Sequence, residues 1–172
     1  SLSSTPHTGT GIGDYTGLAL ALDDLDGDTI ADLLVGQPQN DAVYFFAGGT
    51  GADGQTMGGA TASFLATAST AGNRLGASLA TGDLDGDGVS DFAVGAPEDD
   101  QATTDAGAVY VVAGGAFSGL YRLPTDADLT VDGPSAAYPG YSPATWTSPE
   151  AGTTLAIADL DNDEYGDLVV GA

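Results

Sequence analysis

The stretch "DLDGDGVSDFAVGAPE", residues 83–98, joins two patterns that decide the fold. The aspartates Asp83, Asp85, Asp87 and Asp91 occupy positions 1, 3, 5 and 9 of a nine-residue segment. A short apolar run follows them and ends in Gly-Ala-Pro. Because short apolar runs bounded by turn residues are typical of buried strands, the stretch predicts an acidic loop that leads directly into a β-strand.

The same pattern occurs three times in the chain. "DLDGDTIADLLVGQP" starts at Asp24 and "DLDNDEYGDLVVGA" starts at Asp159, both in the register of the segment that starts at Asp83. We call the three nine-residue segments the first, second and third loops; they span residues 24–32, 83–91 and 159–167. Internal repetition of this kind indicates an array of similar structural units. We predict repeats at residues 1–59, 60–126 and 127–172, the third with an inserted loop at 133–150 and a truncated end.

The segments between the loops predict strands. "GLALAL" and "GASLAT", which precede the first two loops, alternate or nearly so, and "AVYFFA" and "AVYVVA" downstream are β-branched and aromatic. A weaker fourth strand is predicted within residues 60–68 and again within residues 127–133. About four strands per ~60 residues is the design of a propeller blade. The predicted fold class is therefore all-β, with about three blades that form a partial propeller or part of a larger assembly.

The composition excludes several classes of partner. The chain has 25 Asp and Glu residues against 2 basic ones, Arg74 and Arg122, for a net charge of -23, so it lacks a nucleic-acid footprint. No apolar run reaches the ~18 residues that membrane insertion needs, and the absence of Cys excludes disulfides and thiolate metal sites. The acidity has two compatible sources, local cation sites and a solvated acidic surface of the kind that salty environments favour. The first residues lack the regions of a signal peptide, so we expect any export signal to have been removed or to lie outside this sequence.

Alternating aspartates in a tight loop turn several oxygens toward one point, which predicts calcium sites. Calcium takes about six to eight oxygen ligands in flexible geometry, whereas magnesium prefers a strict octahedron and keeps its waters. Zinc prefers His or Cys, and the single histidine, His7, is far from the loops in sequence. We predict three calcium ions per chain, one in each loop, held by the carboxylates at positions 1, 3, 5 and 9 and by the backbone carbonyl at position 7. The predicted ligand residues are Asp24, Asp26, Asp28, Ile30, Asp32, Asp83, Asp85, Asp87, Val89, Asp91, Asp159, Asp161, Asp163, Tyr165 and Asp167.

Ordinary turns, EF-hands and enzyme sites account less well for the acidic loops. Aspartate is common in solvated turns because its side chain bonds to nearby backbone, but three copies in one register are not explained in this way. An EF-hand loop needs a bidentate Glu at position 12, and that position holds Val35, Val94 and Val170. The regular carboxylate pairs all belong to the repeated loops, and an enzyme needs only one active site, so we predict no enzymatic activity.

The loop, the strand after it and the flanking glycines resemble the FG-GAP repeats of the integrin α-subunit β-propeller and its bacterial relatives. The Phe-Gly and Gly-Ala-Pro elements of that motif correspond here to Thr16-Gly17, Leu75-Gly76, Gly36-Gln37-Pro38, Gly95-Ala96-Pro97 and Gly171-Ala172. The resemblance implies a seven-bladed propeller with calcium in hairpin loops on one face, in an extracellular or cell-surface location. Three repeats do not close such a ring. We therefore expect the partners to be flanking blades of a longer chain or other copies of this chain.

Loop position 6 departs from the family pattern in two of the three repeats. The usual glycine is present as Gly88, but Thr29 and Glu164 occupy the same position in the first and third loops. Those two residues must bend without the conformational freedom of glycine. We therefore expect the first and third sites to be weaker or less regular than the second.

Two functions remain open from the sequence alone. The first is an extracellular calcium-binding propeller module for adhesion, protein interaction, or surface or fibre structure. The second is a non-catalytic propeller segment appended to a secreted hydrolase. The predicted inserted loop carries Tyr138, Tyr141 and Trp146. We expect these aromatic residues to cover an edge of the core, with stacking on a protein or glycan ligand as the alternative.

Overall fold

The strands alternate with the acidic loops along the chain. The computed structural model describes residue 13 and residues 15–48, 64–68, 71–100, 106–117, 119–133 and 150–172. His7 and residues 134–149 of the predicted inserted loop lie outside these ranges. Within them the chain forms eleven strands and one turn of 3-10 helix, Pro38–Asn40. The strands are β1 (Leu20–Asp23), β2 (Asp32–Gln37), β3 (Ala42–Phe46), β4 (Phe64–Ala68), β5 (Ser78–Gly82), β6 (Asp91–Ala96), β7 (Ala108–Val112), β8 (Gly119–Leu123), β9 (Leu129–Asp132), β10 (Thr154–Ala158) and β11 (Asp167–Gly171).

The strands form three sheets, which follow one another along the chain except for the last strand of the first sheet. The first sheet has the order β1-β2-β3-β4-β8, the second β5-β6-β7-β9, and the third β10-β11. Neighbouring strands are antiparallel except for β4 and β8, which are parallel. Strand β5 packs against β1 on one side and β10 on the other. The all-β prediction of propeller blades is confirmed, and the described strands do not close into a ring.

Each acidic loop is the hairpin connection between the first two strands of its sheet. The pairs that close these hairpins are Asp23–Asp32, Gly82–Asp91 and Ala158–Asp167. The last aspartate of every loop is thus also the first residue of the next strand. This register explains why the acidic pattern runs without a break into an apolar one.

The predicted fourth strands are present, but one further strand was not predicted. Residues 64–68 and 129–132 form β4 and β9, at the positions that the sequence indicated. Strand β8, by contrast, lies between β7 and β9 in the chain and pairs with β4 of the first sheet. Its sequence, "GLYRL", is short and carries no feature of the repeats. The repeat boundaries at residues 59 and 126 stay a prediction, since strand pairing defines sheets and not repeats.

Two apolar clusters lie between the sheets. The larger one joins the first two sheets and includes Leu34, Phe45, Phe92 and Tyr110, all almost fully buried. The ring of Phe117 makes edge contacts with Phe45 and Phe92, with ring centroids 5.1 and 5.8 Å apart. The smaller cluster joins the second and third sheets through residues such as Ala93, Val109, Ile157 and Leu168. The second sheet is therefore covered on both faces.

Glycines allow the sheets to approach closely where the two motif elements meet. A Cβ atom on Gly36 would lie 2.1 Å from the carbonyl oxygen of Gly76 in the next unit. A Cβ on Gly95 would lie equally close, 2.1 Å, to the carbonyl oxygen of Gly152. The Ser78 hydroxyl donates to that same Gly152 oxygen at 2.5 Å. In the first two units, the glycine next to the end of the second strand thus provides the space into which the next unit docks.

Candidate metal centre

The first carboxylate of each loop organises the loop through its own backbone. In the first loop, Asp24 Oδ1 accepts the N–H of Gly27 at 2.9 Å and Asp24 Oδ2 accepts the N–H of Thr29 at 2.8 Å. These two bonds join positions 1, 4 and 6 and are the side-chain-to-backbone bonds that aspartate favours in turns. The nine residues therefore close on themselves without help from the sheet.

The second and third loops repeat these bonds at the same positions. The oxygens of Asp83 accept the N–H groups of Gly86 and Gly88 at 2.7 and 2.9 Å. The corresponding distances in the third loop are 2.6 and 3.1 Å, with Asp159 accepting from Asn162 and Glu164. The loop geometry is thus a property of the repeated sequence.

In the first and second loops, two backbone N–H groups hold the carboxylate at position 9. Asp91 Oδ2 accepts the N–H of Leu84 and Asp91 Oδ1 accepts the N–H of Gly114, both at 2.7 Å. Asp32 makes the matching bonds with the N–H groups of Leu25 and Gly48, at 2.9 and 2.7 Å. Both aspartates are almost completely buried at the start of their strands. Their positions are fixed by the fold, so each offers a preformed wall for a cation site.

Three carboxylates converge in each loop, from positions 1, 3 and 9. One oxygen from each lies within 4.8 Å of the other two in all three loops. Calcium binds oxygens at about 2.3–2.6 Å, so two ligands on opposite sides of the ion are about 4.6–5.2 Å apart. A carboxylate oxygen that accepts an N–H retains lone pairs for a cation. The residues present therefore fit a calcium ion. The converging groups are Asp24, Asp26 and Asp32; Asp83, Asp85 and Asp91; and Asp159, Asp161 and Asp167.

The carboxylates predicted at position 5 are not part of these converging groups. Asp28 Oδ1 and Asp87 Oδ1 each accept the N–H of the residue two positions later, at 2.8 Å. Asp163 Oδ1 accepts the N–H of Tyr165 in the same way, at 3.0 Å. The position 3 carboxylates Asp26 and Asp85 accept the same kind of bond from position 5, at 3.1 Å, and still converge, so this bond alone does not separate position 5 from the groups. A ligand role for the position 5 carboxylates and for the carbonyls of position 7 stays a prediction.

Burial and crowded negative charge together raise the pKa of one carboxyl in each loop. Burial, followed by repulsion from Asp32, raises the pKa of Asp26. Burial also raises the pKa of Asp91, although the N–H donors of the backbone oppose it. Repulsion from Asp163 is the main reason that the pKa of Asp161 is raised. A bound cation would remove this repulsion, which is the electrostatic reason for the loops to take one up.

The backbone at loop position 6 has the conformation that the sequence predicted to be difficult. The φ angles of Thr29 and Glu164 are 70° and 75°, against 89° for Gly88. Positive φ costs an L-residue roughly 1–2 kcal/mol, and a β-branched residue such as Thr is an outlier there. The structure thus confirms the local strain in the first and third loops, while the predicted weakening of those sites stays a prediction.

Two buried aspartates outside the loops were not singled out in the sequence. Asp41 accepts the N–H groups of Gly72 and Leu75 at 2.5 and 3.1 Å. Asp99 accepts a 2.6 Å hydrogen bond from the Tyr110 hydroxyl, together with one from the Asn73 amide. Both hold the connection that leads into the second sheet. Their only sequence signal is their place shortly after the Gly-x-Pro element, which the repeated loops overshadow.

The comparisons with known proteins agree with this geometry. Residues 75–112, which contain β5, the second loop, β6 and β7, match the FG-GAP repeat family model. Integrin alpha-PS2 of Drosophila melanogaster is 33% identical over 186 residues, which cover 96% of the chain and 12% of that protein. Integrin alpha-3 of Cricetulus griseus is 33% identical over 179 residues, covering 95% of the chain and 15% of the relative. Integrin alpha-V of Gallus gallus is 34% identical over 98 residues, which are 57% of the chain and 7% of the relative.

The matches to the first two relatives cover nearly all of this chain but only a small part of each relative. The chain spans between 12% and 15% of the length of the first two relatives. Among the described residues, no helix has the length and apolar character to cross a membrane. The repeated loops, the blade-like sheets and the matches along the chain agree on one assignment. Residues 75–112 of the chain match the FG-GAP repeat family, and the chain as a whole is similar to integrin α chains.

Proposed function

We propose that the chain is a non-catalytic, extracellular or cell-surface calcium-binding segment of a β-propeller that serves adhesion or protein interaction. The observation that carries the proposal is the convergence of three carboxylate oxygens in each of three equivalent loops. The similarity to integrin α chains supports the propeller and the interaction role. The net charge of -23 makes a divalent cation a favourable partner for the folded state.

Calcium suits the loops better than the common alternatives. All converging atoms are carboxylate oxygens, which hard cations prefer. Magnesium prefers a strict octahedron and keeps several of its waters, which a loop that offers several carboxylate oxygens to one point suits less well. Zinc sites usually contain His or Cys, and the chain has no Cys and one His. The expected dissociation constants are those of extracellular modules, roughly 10⁻⁴–10⁻³ M or tighter.

Calorimetric titration with calcium tests this proposal directly. We expect three ions per chain, and two ions per chain in Asp85→Ala, because Asp85 is one of the converging ligands of the second loop. Asp132→Ala is the matched control, since Asp132 is an exposed aspartate in β9 outside the loops. Absence of calcium binding by the unmodified chain, or preferential binding of zinc, would contradict the proposal.

We also propose that the outer faces of the first and third sheets receive further blades, either from a longer chain or from other copies of this one. Leu20 and Leu22 on β1 are 57% and 65% exposed, and Val169 on β11 is 46% exposed. Apolar side chains exposed in this way on sheet faces mark interaction surfaces. The second sheet shows what covers such faces, since it is packed between two neighbouring sheets.

Light scattering at several calcium and salt concentrations tests the assembly. Three calcium ions would reduce the formal charge from -23 to about -17, which still opposes self-association at low ionic strength. We therefore expect copies of this chain to associate more strongly as calcium and salt increase. A stable, folded single chain at every calcium and salt concentration would contradict the need for neighbouring blades.

A further inference from the structure

Successive loops are in direct contact. The backbone N–H of Ser90 in the second loop donates to the carbonyl oxygen of Asp24 in the first loop, at 3.1 Å. The backbone N–H of Gly166 in the third loop donates to the carbonyl oxygen of Asp83 in the second, at 2.6 Å. In both cases position 8 of one loop bonds to position 1 of the preceding loop. The contact is therefore as regular as the loops themselves.

Side chains at position 7 reinforce these bonds. A Cβ atom on Gly27 would lie 3.4 Å from Val89 Cγ2, so the valine side chain rests on the first loop. A Cβ on Gly86 would lie 2.4 Å from the ring of Tyr165, so the tyrosine ring lies directly against the second loop. Gly27 and Gly86 both occupy position 4, whose N–H bonds to the position 1 carboxylate. Each loop thus supports the part of its neighbour that positions a proposed ligand.

The hydrogen bond between successive loops joins residues that hold or adjoin proposed calcium ligands in both loops. The donor, at position 8 of one loop, is flanked by that loop's position 7 carbonyl and position 9 carboxylate. The acceptor is the backbone carbonyl oxygen at position 1 of the preceding loop, whose side-chain carboxylate converges on that loop's site. A cation that orders positions 7 to 9 of one loop also orders the donor that holds position 1 of the preceding loop. Ordering that is shared between two sites lowers the entropy cost of the second binding event.

We infer that adjacent loops bind calcium with positive cooperativity, the first with the second and the second with the third. The inference rests on the proposed function, because it requires the loops to bind cations. Coupling between the first and third loops passes through the second. By thermodynamic reciprocity, each loop of a pair raises the affinity of the other by the same factor.

The backbone amides at position 4 give a separate reporter for each loop. Gly27, Gly86 and Asn162 each donate to the position 1 carboxylate of their own loop, so their NMR signals follow the occupancy of that loop during a calcium titration. We expect Asp85→Ala, which damages the second site, to weaken calcium binding at the first and third loops by about fivefold or more. Asp161→Ala should weaken calcium binding at the second loop directly and at the first loop by a smaller factor.

A second variant separates coupling from ligation. Tyr165→Ala keeps every carboxylate and backbone carbonyl but removes the ring that lies on Gly86, so the second loop should lose affinity even though none of its own residues has changed. Tyr165→Phe, which retains the ring, should restore that affinity. Tyr15→Ala is the matched control, because Tyr15 is 55% exposed and lies outside the loops.

The outcomes distinguish the inference from the proposed function. If the unmodified chain binds three ions and the affinities of the first and third loops are unchanged in Asp85→Ala, the cooperativity is wrong while the calcium sites stand. An affinity of the second loop that is unchanged in Tyr165→Ala would overturn the role of the tyrosine ring. If the unmodified chain binds no calcium, both the proposed function and the cooperativity are overturned.

Discussion

The second and third units contain the same loop in very different surroundings. Strand β6 of the second sheet is buried at all six residues, Asp91–Ala96. The equivalent strand of the third sheet, Asp167–Gly171, is only partly covered, and Val169 at its centre is 46% exposed. The loops that precede these strands nevertheless make the same hydrogen bonds at positions 1, 4 and 6.

This difference separates what nine residues encode locally from what neighbouring sheets contribute. The loop closes mainly through bonds between its own aspartates and its own backbone, and the next loop adds contacts at positions 1 and 4. The strand after it is buried only where sheets lie on both of its faces, as they do for the second sheet. Loop geometry and core burial are therefore independent properties of each unit, and they can be tested separately.

Truncation of core residues should give the largest difference between the two units. Phe92, which is completely buried, and Leu168, which is only half-buried, occupy the same position after their loops. We expect Phe92→Ala to lower the free energy of unfolding by about 4 kcal/mol, because it leaves a cavity. Leu168→Ala should cost about 1–2 kcal/mol. Chemical denaturation in saturating calcium measures both, and equal losses would show that the third sheet is covered as fully as the second.

Removal of a ligand should have the next largest effect, and only when calcium is present. A site held at a calcium concentration of about 100 times its dissociation constant stabilises the folded state by about 2.7 kcal/mol. We expect Asp85→Ala to lower the free energy of unfolding by about that amount in calcium and by little in chelator. Thermal unfolding in calcium and in EDTA measures the difference, with Asp132→Ala as the control variant. Melting curves of the unmodified chain that coincide in the two conditions would mean that the loops act only as turns.

Substitutions at loop position 6 should change the free energy of unfolding less. We expect a loss in the second loop and a gain in the first and third. A Cβ on Gly88 would meet no atom within 4 Å, so Gly88→Ala tests the backbone conformation alone and should cost about 1 kcal/mol. Thr29→Gly and Glu164→Gly relieve strain at φ 70° and 75° but add unfolded-state entropy, so a gain of about 0.5 kcal/mol is expected. Denaturation in chelator measures these values. A loss of stability in both glycine variants would contradict the strain argument.

The pH dependence should be the smallest effect, and it should change sign with calcium. The raised pKa values of Asp26, Asp91 and Asp161 mean that the charged carboxylates cost folding stability. In chelator, this penalty is present above the folded-state pKa and disappears as the pH falls toward the unfolded value of about 3.9. In calcium, protons compete with the ion, so stability falls over the same range. Between pH 7 and about pH 4, near the unfolded value, melting temperatures should therefore shift in opposite directions in the two conditions.

The effect of salt on the carboxyl pKa values should distinguish the second unit from the third. Burial is the main cause of the raised pKa of Asp91, whereas repulsion from Asp163 is the main cause for the exposed Asp161. Added salt screens repulsion between exposed charges far more than it changes burial. We expect high salt to lower the pKa of Asp161 and to leave that of Asp91 nearly constant, as measured by NMR of the carboxyl carbons in chelator. Equal shifts would show that the two carboxyls have the same surroundings.

Much of this structure follows from the sequence because its main elements are local. The hairpin loops, the strands after them and the positive φ at Thr29 each depend on a few consecutive residues, and all were predicted. The burial of Asp41 and Asp99 was not predicted, because three of their partners, Gly72, Leu75 and Asn73, lie 26 or more residues away and Tyr110 belongs to another strand. The contacts between successive loops were missed for the same reason, since they arise only when the sheets are placed side by side.

The position 5 carboxylates show a different limit. Periodicity placed Asp28, Asp87 and Asp163 with the other aspartates, and nothing in the sequence indicates that the converging groups consist of positions 1, 3 and 9. Alternation in the sequence predicts which residues are near a point. It does not predict how a flexible side chain divides its oxygens between the backbone and that point.

Strand β8 has a consequence for the order in which the molecule can form. The outermost strand of the first sheet, Gly119–Leu123, belongs to the chain after β7 of the second sheet and pairs in parallel with β4. The first sheet therefore cannot be completed until residue 123 has left the ribosome, by which point three strands of the second sheet have also been made. Contacts between such distant segments slow folding because a long loop must close first. We therefore expect the first two sheets to fold together, although the acidic loops repeat as separate segments.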